Sequence, residues 1–267
     1  MRASLAAAVA GLFVSTAQAG AVVETVSRDM PGGKETSSTV LYVDGGKLRV
    51  EHQEKAASSA EGGTIFKNDV LYTLDHDKKT YTMIDRATMK QMAVKMNEAM
   101  AQVEDQLANM PPEQREMVER MMGRSGEGAR AKPQYTKTAR TETVAGKKCR
   151  LWEGARDERK FVEYCVVPFD SIDGGQEVMA AMKNMMGLME ELYEAMNDSG
   201  VKDALFTNEW EGVKAIDGYP VLIRTFENGQ PASEDLLKSA RSAAVPVAQF
   251  EVPAGYKQEK MEGLQPP

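Results

Sequence analysis

Between residues 39 and 51 the chain reads TVLYVDGGKLRVE, with apolar and polar positions alternating on either side of Gly45-Gly46. A two-residue turn there needs positive φ at both positions, which glycine supplies. Folding at that turn pairs Val43 with Leu48, Leu41 with Val50 and Tyr42 with Arg49. The four aliphatic residues then share one face, as the register of a half-buried hairpin demands. The segment 70–85 repeats the pattern: a turn at His76 to Lys79 pairs Leu74 with Tyr81 and Tyr72 with Met83. Further strands are predicted near 21–28, 63–67 and 135–145. In GYPVLIRTFENGQPASEDLL (218–237) a strong strand runs into an Asn228-Gly229 turn, and the stretches 239–244 and 246–258 are read as continuing antiparallel sheet. There is no strand–helix–strand alternation, and neither a GxGxxG fingerprint nor a P-loop, so nucleotide-binding α/β folds are not indicated.

Two segments change from period two to helical period. Residues 86–110 place Met89, Met92, Met96, Met100, Val103, Leu107 and Met110 at steps of three and four, one face of a helix ended by Pro111-Pro112. A second short helix is predicted over 111–122. The segment 176–197 carries Val178, Met179, Met182, Met186, Met189, Leu192 and Met196, preceded by Asp173-Gly174-Gly175 and followed by Asn197-Asp198-Ser199-Gly200. Of 18 methionines, 14 lie in 89–122 and 179–196, so the choice of side chain needs its own explanation. Helices docking apolar faces on a sheet would account for the spacing. Flexible, polarisable thioethers also suit surfaces that accept apolar partners of varied shape. Met179, Met182, Met186, Met189, Met92 and Met96 are therefore the candidate ligand-binding residues.

The N-terminus reads as a targeting signal. Arg2 precedes the apolar run LAAAVAGLFV (5–14), and Ala17-Gln18-Ala19 has the small-x-small pattern of a cleavage site. The run is short for a bilayer span. Cleavage after Ala19 leaves 20–267, read as a single β-rich domain with helical insertions near 86–122 and 176–197, and no transmembrane anchor. The expected location is the periplasm, as a soluble secreted protein.

Export gives the two cysteines a meaning. In an oxidising compartment an even pair usually closes a disulfide. Around them the chain reads KKCRLWEGARDERKFVEYCVV (147–167), two strand-like runs about a charged turn near Asp157. Cys149 and Cys165 lie eight residues to either side of that centre, so a hairpin sets them opposite each other. A redox-active pair would more commonly have C-x-x-C spacing.

Composition excludes much chemistry. The chain has two His and two Cys, too few for His-rich or four-Cys metal sites. Copper through methionine would call for Met with His in a polar loop, and no His lies in either helical segment. Asp75 and Asp77 start like an EF-hand, but the sixth loop position is Thr80 and the twelfth Arg86, so that pattern fails. Neither His52 nor His76 sits in a nucleophile motif. No catalytic residue, metal site or cofactor is expected. The net charge of −7 argues against nucleic acid as a partner. Locally, Arg124 to Lys160 holds 11 Lys or Arg against 5 Asp or Glu, read as a solvated hairpin that keeps a sheet edge soluble or, less simply, as a docking face.

The order of export signal, DGGKLRVE, TIFKNDVLYTLDHDKKTYTMID, Met-rich helix, VAGKKCRLWE, FVEYCVVP, second Met-rich helix, GYPVLIR and FEVPAGYK resembles an exported bacterial family classed as a domain of unknown function. That family is similar in pattern to the periplasmic lipoprotein carriers of the LolA/LolB-like superfamily. The resemblance implies an α+β fold, an open antiparallel half-barrel covered by helices with an apolar cavity between them. It implies an acyl chain or other lipid as ligand. The expected function is therefore a non-enzymatic periplasmic protein binding an apolar ligand or a hydrophobic protein segment. The alternatives are a cell-envelope interaction or stress protein without a small-molecule ligand and, third, a hydrolase.

Overall fold

The computed structural model describes residues 20–55, 62–121, 133–195, 212 and 215–259. The expected signal peptide, the end of the helix predicted over 176–197 and the Gly-rich start of the basic stretch lie outside them. Among the described residues twelve strands form one open, curved sheet. Six come first: β1 (Gly20–Asp29), β2 (Lys34–Asp44), β3 (Lys47–Glu54), β4 (Gly62–Lys67), β5 (Val70–Asp75) and β6 (Thr80–Ile84). Two helices follow, α1 (Arg86–Ala108) and α2 (Pro112–Met121). Then come β7 (Gln134–Val144), β8 (Lys147–Arg156), β9 (Arg159–Val167), α3 (Gly175–Ala195), β10 (Tyr219–Glu227), β11 (Gln230–Ala243) and β12 (Lys257–Gln258). The strand order is β12-β6-β5-β4-β3-β2-β1-β11-β10-β9-β8-β7. Two meanders are thus fused at their first and last long strands, β1 pairing antiparallel with β11.

Turn chemistry sets the registers. Among the described residues five two-residue turns have both residues in the left-handed region: Gly45-Gly46, Asn68-Asp69, Ala145-Gly146, Asp157-Glu158 and Asn228-Gly229. Such turns match the twist of the flanking strands. The predicted pairs Val43–Leu48, Leu41–Val50, Leu74–Tyr81 and Tyr72–Met83 all form.

One sheet face carries the helices. Ala21, Val23, Val43, Leu48, Phe66 and Leu222 form a core with Val178, Ala181 and Leu188 of α3 and Met89 of α1. Each fully buried aliphatic side chain contributes about 1.5–3 kcal/mol. Asp85 caps α1, accepting a hydrogen bond from the Thr88 amide at 2.7 Å. The α3 stripe differs from the expected one. Its docked face is Val178, Ala181, Met182, Met185, Leu188 and Met189, with Val178 and Ala181 fully buried. Small Ala181 lets the helix approach the strands closely, which turns Met179 and Met186 to the flanks, where both are half-buried.

The opposite face is covered by the chain end, where the expected antiparallel strand over 246–258 does not form. β11 runs unbroken to Ala243, and the chain then crosses the back of the first meander. Pro246 precedes a 3-10 turn, Val247–Phe250, and the fully buried Phe250 packs with Ile65, Leu74 and Val22. Arg49 donates to the Gln249 carbonyl at 2.9 Å and clasps this strap. Having crossed the sheet from its centre, the chain reaches the edge at β6 running parallel to it, as two-residue β12.

The cysteines form the expected bridge, Cys149–Cys165, with Cα atoms 5.2 Å apart. They are not directly opposite. A bulge at Gly154/Ala155 gives β9 one extra residue, so Cys165 faces Leu151 and the bridge runs diagonally to Cys149. On the same face, two residues before Cys165, lies Glu163, its side chain 2% exposed. Arg224 donates to it at 2.8 Å and to Glu234 at 2.7 Å, and Arg140 donates to its other oxygen. Burial pushes the Glu163 carboxyl up, but the two guanidinium groups outweigh it and hold it below its ordinary 4.5.

Replacing both cysteines by serine opens a 16-residue loop and should cost about 3 kcal/mol in denaturant unfolding, with non-reduced peptide maps of the parent showing the 149–165 link. Glu163→Gln should cost about 1–3 kcal/mol near neutral pH, because it removes the buried carboxylate shared by two guanidinium groups and leaves Arg224 to Glu234 and Arg140 to Glu153. The folded value of Glu163 is depressed, so its stabilisation is full above 4.5 and is lost as pH falls through the lower folded value. The stabilities of parent and variant should therefore converge in acid, once the pH is below that folded value.

Candidate functional site

At the end of β9 the sheet gives way to α3 through a sharp corner. Pro168 offers no amide for the ladder, and the 3-10 turn Phe169–Ser171 follows it. Two glycines then let the helix begin against β1. Gly174 has φ +78°, and a Cβ there would lie 2.3 Å from that of Ala21; one on Gly175 would lie 1.9 Å from the Phe169 carbonyl oxygen. Ser242 donates to Asp173 at 2.5 Å, fixing the same corner to β11 and holding the Asp173 carboxyl below its usual range.

The corner leaves a cleft of about 430 Å³, within the range of small-molecule sites. One wall is strand: Lys137 of β7, Arg150 and Trp152 of β8, and Val166 and Val167 of β9. The second is the corner itself, Pro168, Phe169 and Asp170, with Gln176 and Met179 from the first turn of α3. Asp217 and Gly218, leading into β10, close the third side. Lys137 pairs with Trp152 across the strands, and its ammonium lies 5.4 Å from the indole centroid. Behind Phe169, Tyr219 meets its ring edge-on with centroids 6.3 Å apart. Burial pushes the Tyr219 phenol up to about 12, so it stays neutral at any ordinary pH. The disulfide is part of the wall's construction, since Cys149 precedes Arg150 and Cys165 precedes Val166.

Among the described residues the cleft therefore joins an apolar floor to two cations and two carboxylates, an arrangement that can hold a small amphiphile. Of the six methionines singled out from the sequence, Met179 lines it. Met182 and Met189 pack against the sheet core. Met92, Met96 and Met186 are half-buried and do not line it. Arg150, Trp152 and Phe169 were not singled out from the sequence. A strand alternation of Arg150, Trp152 beside an even-spaced Val166 was the available signal, and it becomes legible only when the hairpin register is known.

Both histidines make side-chain contacts. Nδ1 of His76 lies 2.6 Å from the Tyr256 hydroxyl and Nε2 lies 2.7 Å from a Glu51 oxygen, while Arg49 holds the other Glu51 oxygen. This chain of contacts fastens the C-terminal strap to the sheet. His52 Nδ1 lies 2.9 Å from the Thr39 hydroxyl. Among the described residues no group of three or more His, Cys, Asp or Glu is placed to hold a metal ion, and no helix is long and apolar enough to cross a membrane. A buried disulfide is compatible with an exported protein.

No family model and no curated protein matches the chain. Among solved structures, an uncharacterized conserved protein from Thermus thermophilus aligns over 91% of this chain and 90% of its own, with 6% identity and a TM-score of 0.43. A structure of PNGF-II aligns over 92% of this chain but 31% of its own, with 9% identity and a TM-score of 0.39. MucB aligns over 89% of this chain and 58% of its own, with 10% identity and a TM-score of 0.35.

Proposed function

We propose that the chain is an exported, periplasmic protein that binds an apolar ligand, a lipid acyl chain, without catalysing a reaction on it. The cleft at the β9–α3 corner carries this reading, because its floor of Trp152, Val166, Phe169 and Met179 offers apolar surface beside polar groups at the rim. The order of sequence motifs supports it, through the resemblance to lipoprotein carriers built as an open half-barrel covered by helices. In those carriers the helices and sheet enclose the chain. Here the centre of α3 is docked on the sheet, and the cleft at its first turn is the more open site. Met179 at that turn is flexible enough to adapt to chains of different shape.

The test separates cleft from core. Met179→Trp should fill the cleft and abolish uptake of a fluorescent acyl probe with an unchanged melting temperature. Met182→Trp should overpack the core, at a cost of about 1–3 kcal/mol. Native mass spectrometry of protein recovered from an envelope fraction should show a co-purifying lipid. Absence of probe uptake by the parent protein, with no lipid carried through purification, contradicts the proposal; a co-purifying protein in its place favours the envelope-interaction reading.

A further inference from the structure

We infer that the ligand of the cleft is a zwitterionic single-chain amphiphile, an acyl chain whose head carries both a phosphate and an ammonium group, as in a lysophospholipid of the phosphoethanolamine type. This rests on the cleft being the ligand site, and it adds which head group the site recognises.

The cations of this half of the sheet are engaged unequally. Arg140 and Arg224 are both held by Glu163, and Arg224 also by Glu234. Arg150 differs: among the described residues its guanidinium has neither a hydrogen-bond nor an ion-pair partner, and its side chain is exposed at the cleft. A guanidinium carries five N–H donors in a planar fork that suits phosphate oxygens. Lys137 stands on the same wall, across from Trp152, its ammonium held over the indole. The strand wall therefore presents two positive charges, one of them over the Trp152 ring.

The other walls carry the opposite sign. Asp170 on the corner and Asp217 before β10 both line the cleft, and among the described residues neither has an ion-pair partner. Among the described residues, two cations and two carboxylates line the cleft, so their charges balance. A simple anion would meet repulsion from the two aspartates, and a simple cation from Arg150 and Lys137. A head bearing both signs satisfies both walls: phosphate toward Arg150 and Lys137, ammonium toward Asp170 and Asp217. Gln176, at the start of α3, adds a side chain that both donates and accepts at the rim. The acyl chain then lies on Trp152, Val166, Phe169 and Met179.

The experiment compares three fluorescent acyl probes of equal chain length on the full protein: a lysophosphatidylethanolamine, its N-acetylated derivative and a monoacylglycerol. The zwitterion should bind roughly five- to tenfold more tightly than the N-acetylated anion, the scale of one charge-assisted hydrogen bond at a partly exposed site. Asp217→Asn with Asp170→Asn should erase that difference. Arg150→Gln should weaken both phosphate probes by a similar factor, keeping the difference between them and leaving the neutral probe unchanged, Arg150→Lys should restore part of the loss, and Lys183→Gln on α3, outside the cleft, should change nothing. Free phosphoethanolamine should not displace the probe at equal concentration, and displacement by it would overturn the amphiphile in favour of a soluble phosphate. Equal binding of all three probes, or a preference for the anion, overturns the head-group inference while leaving acyl binding standing. No binding of any probe overturns both.

Discussion

The pairing of β1 with β11 is the constraint on which the rest of the structure depends. It joins residues from opposite ends of the chain, Gly20 against Ala243 through Asp29 against Ser233, and fuses two meanders into a single sheet. Without it, each meander would expose a strand edge at what is now the sheet's centre. With it, α3 has a continuous surface spanning β1 to β3 on which to bury Val178, Ala181 and Leu188. The strap that follows β11 is then directed across the back of the first meander, where Phe250 and Tyr256 find their sites. The corner between β9 and α3 exists because α3 must leave one half of the sheet and dock on the other.

Much of this was legible in the sequence, and the reasons are local. The turn Gly45-Gly46 fixed its hairpin's register to the residue because alternation and turn chemistry agree there. Helix positions followed from methionine spacing, with α1 ending two residues before the expected boundary. The cysteine pair was legible, but its diagonal geometry depends on a bulge at Gly154/Ala155, for which a single glycine inside the strand is a weak signal. Asn68-Asp69 and Asp157-Glu158 adopt the same left-handed turns as the glycine pairs without containing glycine, so their signal was weak. The docked face of α3 departs from its methionine stripe because a small residue, not a methionine, sits at the point of closest approach. Ala181, fully buried, shows that close approach rather than side-chain volume orients the helix.

The site was less legible than the fold, for a physical reason. Its walls come from β7, β8, β9, the first turn of α3 and the lead into β10, and only their three-dimensional convergence makes them one surface. Met179 had a periodic signal. Arg150 had none, since an exposed arginine on a strand looks the same whether or not it faces a cleft. The disulfide connects the two levels, because the bridge that fastens β8 to β9 also sets the spacing of Arg150 and Val166 on the cleft wall.

Trp152 offers a direct test of the proposed occupant. The chain has two tryptophans, so replacing Trp210 by phenylalanine leaves the cleft indole as the sole reporter. Titration with a lysophospholipid brominated along its acyl chain should quench Trp152 emission saturably, and the non-brominated lipid should reverse the quenching by competition. Binding of the lipid by equilibrium dialysis without quenching would place the acyl chain elsewhere and contradict the assignment of the cleft as the ligand site.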